Sequence, residues 1–196
     1  MAEIKNTLDM VMERAARMAA ASEAEEVNED VQKEGMRLAA CFLNQPDGDL
    51  ATQLAARPAE QQTALRQGMA QTLLRNIVLP RDPALKDRSL LAIKGVLGLL
   101  QKSGGAAVTG ACSELQQLLD QYSQHKEQIT KQLEDMLVGQ LEQQYTARGI
   151  QPPARLNAAM HPKYKDELAR MLQDLNGQYN QALDQRKQAI TRQAGL

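Results

Sequence analysis

Large apolar side chains recur every three or four residues along most of this 196-residue chain, and this spacing constrains the fold more than any other feature. Residues three and four positions apart lie on the same face of an α-helix, so each such stretch predicts a helix with one buried side. The chain has no Trp and one Phe, and helix formers such as Ala, Leu, Gln and Glu dominate it. We therefore predict an all-α fold, a helical bundle with a long antiparallel helical hairpin in its C-terminal half.

The first predicted helix carries two apolar stripes in different phases. One stripe runs from Ile4 to Met18, and the next begins at Val27. Between them, Ser22 and Glu25 fit a capping box, in which each side chain satisfies a backbone amide of the other residue. The helix therefore either breaks or bends at Ser22. The acidic residues that follow favour a helix N-terminus, which supports a break.

The clearest helix start in the chain is at Asp82 and Pro83, which match an N-cap residue and a first-turn proline. The helix that they open is apolar on almost every side and ends at a Gly-Gly pair. We therefore place residues 83–102 at the centre of an N-terminal helical region, residues 1–102.

Small residues fill the segment 103–112, whose sequence SGGAAVTGAC has little helical drive. We predict a linker or hinge here, with a tight internal turn as the alternative. Residues 113–196 then form two long helices on either side of a Gly- and Pro-containing connection, and we expect the two helices to pair antiparallel. The chain divides at the linker, unless the two parts form one continuous domain.

No motif in the sequence identifies catalysis, a metal site or a cofactor. The two histidines, His125 and His161, lack the spaced His, Cys or Glu residues of a zinc site, and we expect His161 to help start the last helix. The fragment 98–105, GLLQKSGG, lacks the glycine that a phosphate loop places directly before its lysine. We therefore expect a protein that is not an enzyme, with no catalytic residues, no metal and no cofactor.

The cysteines and the hydropathy pattern indicate a compartment. Cys41 and Cys112 lie far apart among small or apolar neighbours, which is typical of buried free thiols in a reduced cell. The most apolar window, residues 90–100, has about half of the ~20 residues that a bilayer span needs. The N-terminus lacks the apolar stretch of a signal peptide. We expect a cytoplasmic protein without a membrane span.

Residues 3–14 read EIKNTLDMVMER. This run resembles the start of a family of uncharacterised helical bacterial proteins, whose members begin with a similar sequence. The resemblance implies a bacterial cytoplasmic protein, and it brings no activity, cofactor or active-site residue with it.

The long helices of the C-terminal half predict a function in protein association. A long helix pair exposes more apolar surface than a monomer of this size readily covers, and symmetric dimers are the commonest way to bury such surface. We expect a protein-interaction or assembly module that forms a homo-oligomer, with a dimer favoured, or that binds another helical protein. Core packing within one chain is the alternative explanation of the same residues. The interface candidates are Leu133, Met136, Leu137, Leu141, Leu172, Leu175 and Leu183.

One local charge asymmetry stands out in a chain whose net charge is -1. The segment 75–102 is basic, and binding of nucleic acid or another anionic partner through it is the alternative function. The segment lacks aromatic residues for base stacking and any helix-turn-helix pattern, so we favour an anionic protein partner over nucleic acid. The candidates for this basic patch are Arg75, Arg81, Lys86, Arg88, Lys94 and Lys102.

Overall fold

The computed structural model describes residues 7–46, 48–153 and 155–195, and these form helices without any strand. The prediction of an all-α helical bundle is confirmed. Ile4, where the first apolar stripe was predicted to begin, lies outside the described residues. The helices are α1 (Thr7–Asn44), α2 (Leu50–Ala55), α3 (Ala59–Asn76), α4 (Pro83–Ala147) and α5 (Tyr164–Ala194), with a 3-10 turn at Ala158–Met160 before α5.

α1 is one continuous helix, so the predicted break at Ser22 is wrong. Residues 15–24 read AARMAAASEA, and this alanine-rich stretch without Gly or Pro has enough helix propensity to carry the backbone through Ser22. The change in phase of the apolar stripe therefore marks a change in which side of α1 is apolar, and it does not mark the end of the helix. Val31 is the first buried residue of α1 among those whose side chains the structure describes.

α1 and α3 run side by side in the same direction. Residues 25–32 of α1 and residues 60–67 of α3 line the two sides of one groove. Further along both helices, Phe42 of α1 and Leu73 of α3 lie together against Gly95 of α4. Because α3 begins beside residues 25–29, the earlier part of α1 continues past the start of α3.

Two glycines allow α1 and α3 to approach each other closely. A Cβ atom on Gly35 would overlap the carbonyl oxygen of Leu65, and a Cβ atom on Gly68 would overlap that of Gln32. The two backbones are therefore in direct contact at this crossing, which no larger residue would permit.

A buried serine holds the connection between α3 and α4. The hydroxyl group of Ser89 accepts a hydrogen bond from the backbone amide of Val78 at 3.1 Å and donates one to the carbonyl oxygen of Val78 at 3.0 Å. The Asp82 carboxylate caps α4 by accepting a hydrogen bond from the amide of Leu85 at 2.8 Å. The predicted start of this helix at Asp82 is confirmed.

α4 reverses direction at Gly105, its one residue with non-helical backbone angles (φ 53°, ψ -141°). We call residues 83–104 its first arm and residues 106–147 its second arm. Lys86 of the first arm forms a 2.9 Å ion pair with Asp120 of the second, although a straight helix would separate them by about 51 Å. The segment 103–112 is thus helical except at Gly105. It forms a tight internal turn, which was the alternative to the predicted linker or hinge.

α5 packs antiparallel to the second arm of α4, as predicted for the C-terminal hairpin. The Tyr122 hydroxyl donates a 2.7 Å hydrogen bond to the side-chain oxygen of Asn176, and the Tyr164 hydroxyl donates a 3.0 Å hydrogen bond to the Glu134 carboxylate. The main core joins all five helices. A second, smaller cluster fills the far end of the hairpin, with Leu133, Leu137 and Ala158 at its centre.

Candidate interaction surface

The N-terminal part of α1 is the most exposed apolar region of the structure. We call residues 10–30 the α1 extension, and every residue in it whose side chain is described is exposed. Five of the nine large exposed hydrophobic side chains in the described part of the chain lie here: Met10, Val11, Met12, Met18 and Val27, each at least 54% exposed. This concentration makes the α1 extension the strongest candidate for a surface that a partner covers.

The apolar stripe of the α1 extension does not continue the face that α1 buries in the bundle. Val11, Ala15 and Met18 follow one another at intervals of four and three residues and so share a face. Val31, which packs into the core, is turned by about 200° from Val11 at the helical step of 3.6 residues per turn. The later buried residues of α1 rotate back toward the stripe, so that Leu43 lies about 40° from Val11 by the same step. The stripe and the buried side of α1 therefore point in different directions where the extension begins and converge toward the C-terminal end of the helix.

The charges of the α1 extension are divided along its length. Arg14 and Arg17 lie in its first half, where Arg17 forms a 3.2 Å ion pair with Glu13 on the same helix. The second half is acidic, and Lys33, just beyond it, pairs with Asp30 at 3.1 Å. The hydrogen bond to Asp30 raises the pKa of Lys33 above its ordinary value. One end of the extension thus carries exposed cations and the other carries exposed carboxylates.

The structure places most of the predicted interface residues inside the chain itself. Leu133 and Leu137 form the second cluster, and Leu175 and Leu183 belong to the main core. Leu141 is also buried and Leu172 is half-buried, whereas Met136 is 52% exposed. The helices of the same chain already cover these leucines, which agrees with core packing, so the surface open to a partner lies elsewhere.

The predicted basic patch is partly engaged in contacts within the chain. Lys86 pairs with Asp120, and the Arg88 guanidinium donates a 3.0 Å hydrogen bond to the side-chain oxygen of Asn76. The side chain of Lys102 lies outside the described residues. Of the other three, Arg75 lines a cleft beside α5, and Arg81 and Lys94 are exposed.

A cleft of about 670 Å³ lies between α3 and α5, with α1 at one side. The residues that line it include Arg75, Gln71, Asp184 and Lys187. Partial burial lowers the pKa of Lys187, and the nearby Asp184 carboxylate opposes this shift. Two cations, one carboxylate and several amides suit hydrogen bonding to a polar group.

The histidines and cysteines are dispersed in the structure. His161 is buried, and its Nδ1 accepts a 3.3 Å hydrogen bond from the amide of Lys163 at the start of α5, as expected. His125 lies on the second arm of α4, where its Nδ1 is 2.7 Å from the Tyr179 hydroxyl. Within residues 7–46, 48–153 and 155–195, no three His, Cys, Asp or Glu side chains are grouped as metal ligands would be.

Both cysteines are free, but only Cys112 is buried. The expectation of a buried thiol at Cys41 is wrong, because α1 turns Ala39 and Leu43 toward the core and leaves Cys41 on its solvent side. Burial raises the pKa of the Cys112 thiol to about 11. None of the helices in the part of the chain that the structure describes has the length and apolarity to cross a membrane.

Comparison with known proteins gives one match. Residues 51–192, from α2 to the last turn of α5, match the model of a family of unknown function, DUF6657. The matched range does not include the N-terminal run 3–14 or the α1 extension. No curated protein matches the chain, and no solved structure matches it.

Proposed function

The chain belongs to the DUF6657 family, and from its own surface we propose that it is a non-enzymatic assembly module in which two copies associate through the α1 extension. The concentration of exposed apolar side chains in residues 10–30 carries this proposal. The α1 extension precedes the range that matches the family, so the proposal concerns this chain rather than every member.

The exposed area of the chain supports an additional interface. The chain exposes 13326 Å², whereas a compact monomer of 21.6 kDa exposes roughly 9,200 Å². A standard dimer covers about 800 Å² on each partner, so the surplus is several times what an interface requires. Burial of exposed methionine and valine side chains stabilises such a contact by about 25 cal/mol per Å² of apolar area.

The charge distribution supports a second copy as the partner, in an antiparallel arrangement. When two α1 extensions lie side by side in opposite directions, Arg14 and Arg17 of each copy face the acidic stretch near Glu25 and Glu29 of the other. The same surface is then used twice around a two-fold axis, which is the commonest symmetry of soluble oligomers. A parallel arrangement would instead place carboxylates against carboxylates.

The cellular setting belongs to the same proposal. The resemblance of residues 3–14 to the start of bacterial helical proteins supports a bacterial chain that works in the cytoplasm, as a homodimer or with a second helical protein on the same surface.

Light scattering coupled to size exclusion, over a range of concentrations, tests the association. We expect the full chain to form a dimer and Met18→Asp to weaken it at least about tenfold, which corresponds to 1.4 kcal/mol. Met136→Asp is the matched control, because Met136 is similarly exposed but lies on the second arm of α4. It should leave the dimer intact.

A charge reversal tests the antiparallel arrangement. Arg14→Glu with Arg17→Glu should weaken the dimer, and adding Glu25→Arg with Glu29→Arg should restore it. A wild-type chain that stays monomeric at every concentration would contradict the proposal. A dimer weakened by the Met136 variant and not by the Met18 variant would move the interface to α4 and α5.

A further inference from the structure

The reversal of α4 depends on a single residue. Lys86 and Asp120 form an ion pair across the two arms, and the Lys126 ammonium donates a 2.9 Å hydrogen bond to the carbonyl oxygen of Arg81 at the far end of the same pair of arms. Connections between neighbouring helices usually have two to eight residues, whereas here only Gly105 departs from helical geometry. Its backbone angles, φ 53° and ψ -141°, are accessible to glycine and strained for any other residue.

A change at this one residue would convert the hairpin into a rod. If Gly105 adopted helical angles, the two arms would form one straight helix of 65 residues, about 98 Å long. The first arm would then lose the second arm and α5, and its buried face would be open. Ile93, Val96 and Leu100 of the first arm pack in the same core as Val108 and Leu115 of the second.

The surface that such an opening exposes fits a second copy of the same chain. The second arm and α5 of another opened chain carry the same side chains that the first arm buries in the closed monomer. All contacts of the monomer re-form between two chains, and only the conformation of the two Gly105 residues differs. Exchange of identical elements is a low-cost route to dimers, and short hinges favour it.

We propose that Gly105 is the hinge of an exchange in which two copies trade the second arm of α4 together with α5. Helical geometry at Gly105 costs backbone entropy, because glycine loses more freedom on entering a helix than other residues do. This cost favours the reversed hairpin, while the short connection favours the rod. The exchange uses surfaces separate from the α1 extension and does not rest on the association proposed above.

Cross-linking in mixed dimers tests the exchange directly. Full-length chains with light and heavy nitrogen isotopes are mixed, unfolded, refolded together at high concentration and treated with a carbodiimide, which joins Lys86 to Asp120 without a spacer. Exchange predicts cross-linked peptides with one light and one heavy half in the dimer fraction. Dimers formed through the α1 extension alone would give only light–light and heavy–heavy pairs, and that result would overturn the proposal.

Substitution of the hinge gives a second, independent measurement. Space is open around a Cβ atom at Gly105, so Gly105→Ala changes the backbone preference without a steric clash. We expect it to raise the dimerisation constant by about 100-fold or more, since each of the two relieved hinges contributes about tenfold. Gly110→Ala is the matched control, because Gly110 also has open space around it but lies within the second arm, and it should leave the constant unchanged.

A longer connection should act in the opposite direction. Insertion of four Gly and Ser residues after Gly105 relaxes the turn, and it should abolish the mixed cross-links while the monomer keeps its helix content. A Gly105→Ala chain that remains a folded monomer would overturn the proposal. If that variant fails to fold, the insertion decides: mixed cross-links that persist after it would also overturn the proposal.

Discussion

Gly35 and Gly68 lie on opposite sides of the crossing between α1 and α3, and a backbone carbonyl of the other helix occupies the place where each glycine would otherwise carry a side chain. This reciprocal contact holds α1 in a parallel register with α3. It therefore also sets the direction in which the α1 extension leaves the bundle.

Gly68→Ala should separate α1 from α3 and destabilise the fold. Because the added methyl group meets a backbone carbonyl rather than a movable side chain, we expect a loss of roughly 1–3 kcal/mol in the free energy of unfolding. Urea denaturation followed by circular dichroism measures it. Gly177→Ala, on α5 with open space around it, is the control and should be neutral or stabilising. Equal effects of the two substitutions would refute the close crossing.

Tyr122→Phe should weaken the pairing of the second arm of α4 with α5. The hydroxyl of the buried Tyr122 donates to Asn176, and its removal leaves that amide oxygen without this donor, which costs about 1–2 kcal/mol. Thermal and urea unfolding measure the loss. Tyr164→Phe removes a similar hydrogen bond, to Glu134, at an exposed site, and we expect a smaller loss of stability than for Tyr122→Phe.

Cys112 should make the fold sensitive to alkali. Its folded pKa of about 11 exceeds the ordinary 9.0, so the native state binds more protons than the unfolded state between these values. The stabilisation is complete below pH 9 and is lost as the pH rises toward 11, by up to about 3 kcal/mol. The free energy of unfolding of Cys112→Ala, measured against the wild type across this range, should show a smaller alkaline loss. Cys41→Ala, at the exposed cysteine, should retain the wild-type slope.

Local sequence signals predicted the helices well. The periodicity of apolar residues placed the long helices, and Asp82 with Pro83 marked the start of α4, because helix caps and first-turn prolines act within one turn of the backbone. The signals at Ser22 were misleading, since a capping box is also compatible with the interior of an alanine-rich helix. When an apolar stripe restarts in a different phase, the same helix can be packing a different side against a different neighbour, and a new helix need not begin.

Tertiary relationships were harder to predict. Periodicity shows that Leu133 and Leu183 face something apolar, but it does not show whether the covering surface belongs to the same chain. The α1 extension was missed as a surface because its stripe has the same spacing as a buried one. The single-residue reversal at Gly105 was predicted as a ten-residue segment, because two adjacent glycines followed by alanines do not reveal where helical geometry stops.

The one-residue reversal of α4 has a consequence for the order in which the chain acquires its structure. The entropy lost in closing a loop rises with loop length, so the two arms meet at little cost once Gly105 turns. α1 can pack beside α3 only after residues 45–58 have returned the chain along the full length over which the two helices are in contact. α1 therefore leaves the ribosome before α3 and docks late, with its apolar faces open to any other copy being synthesised nearby.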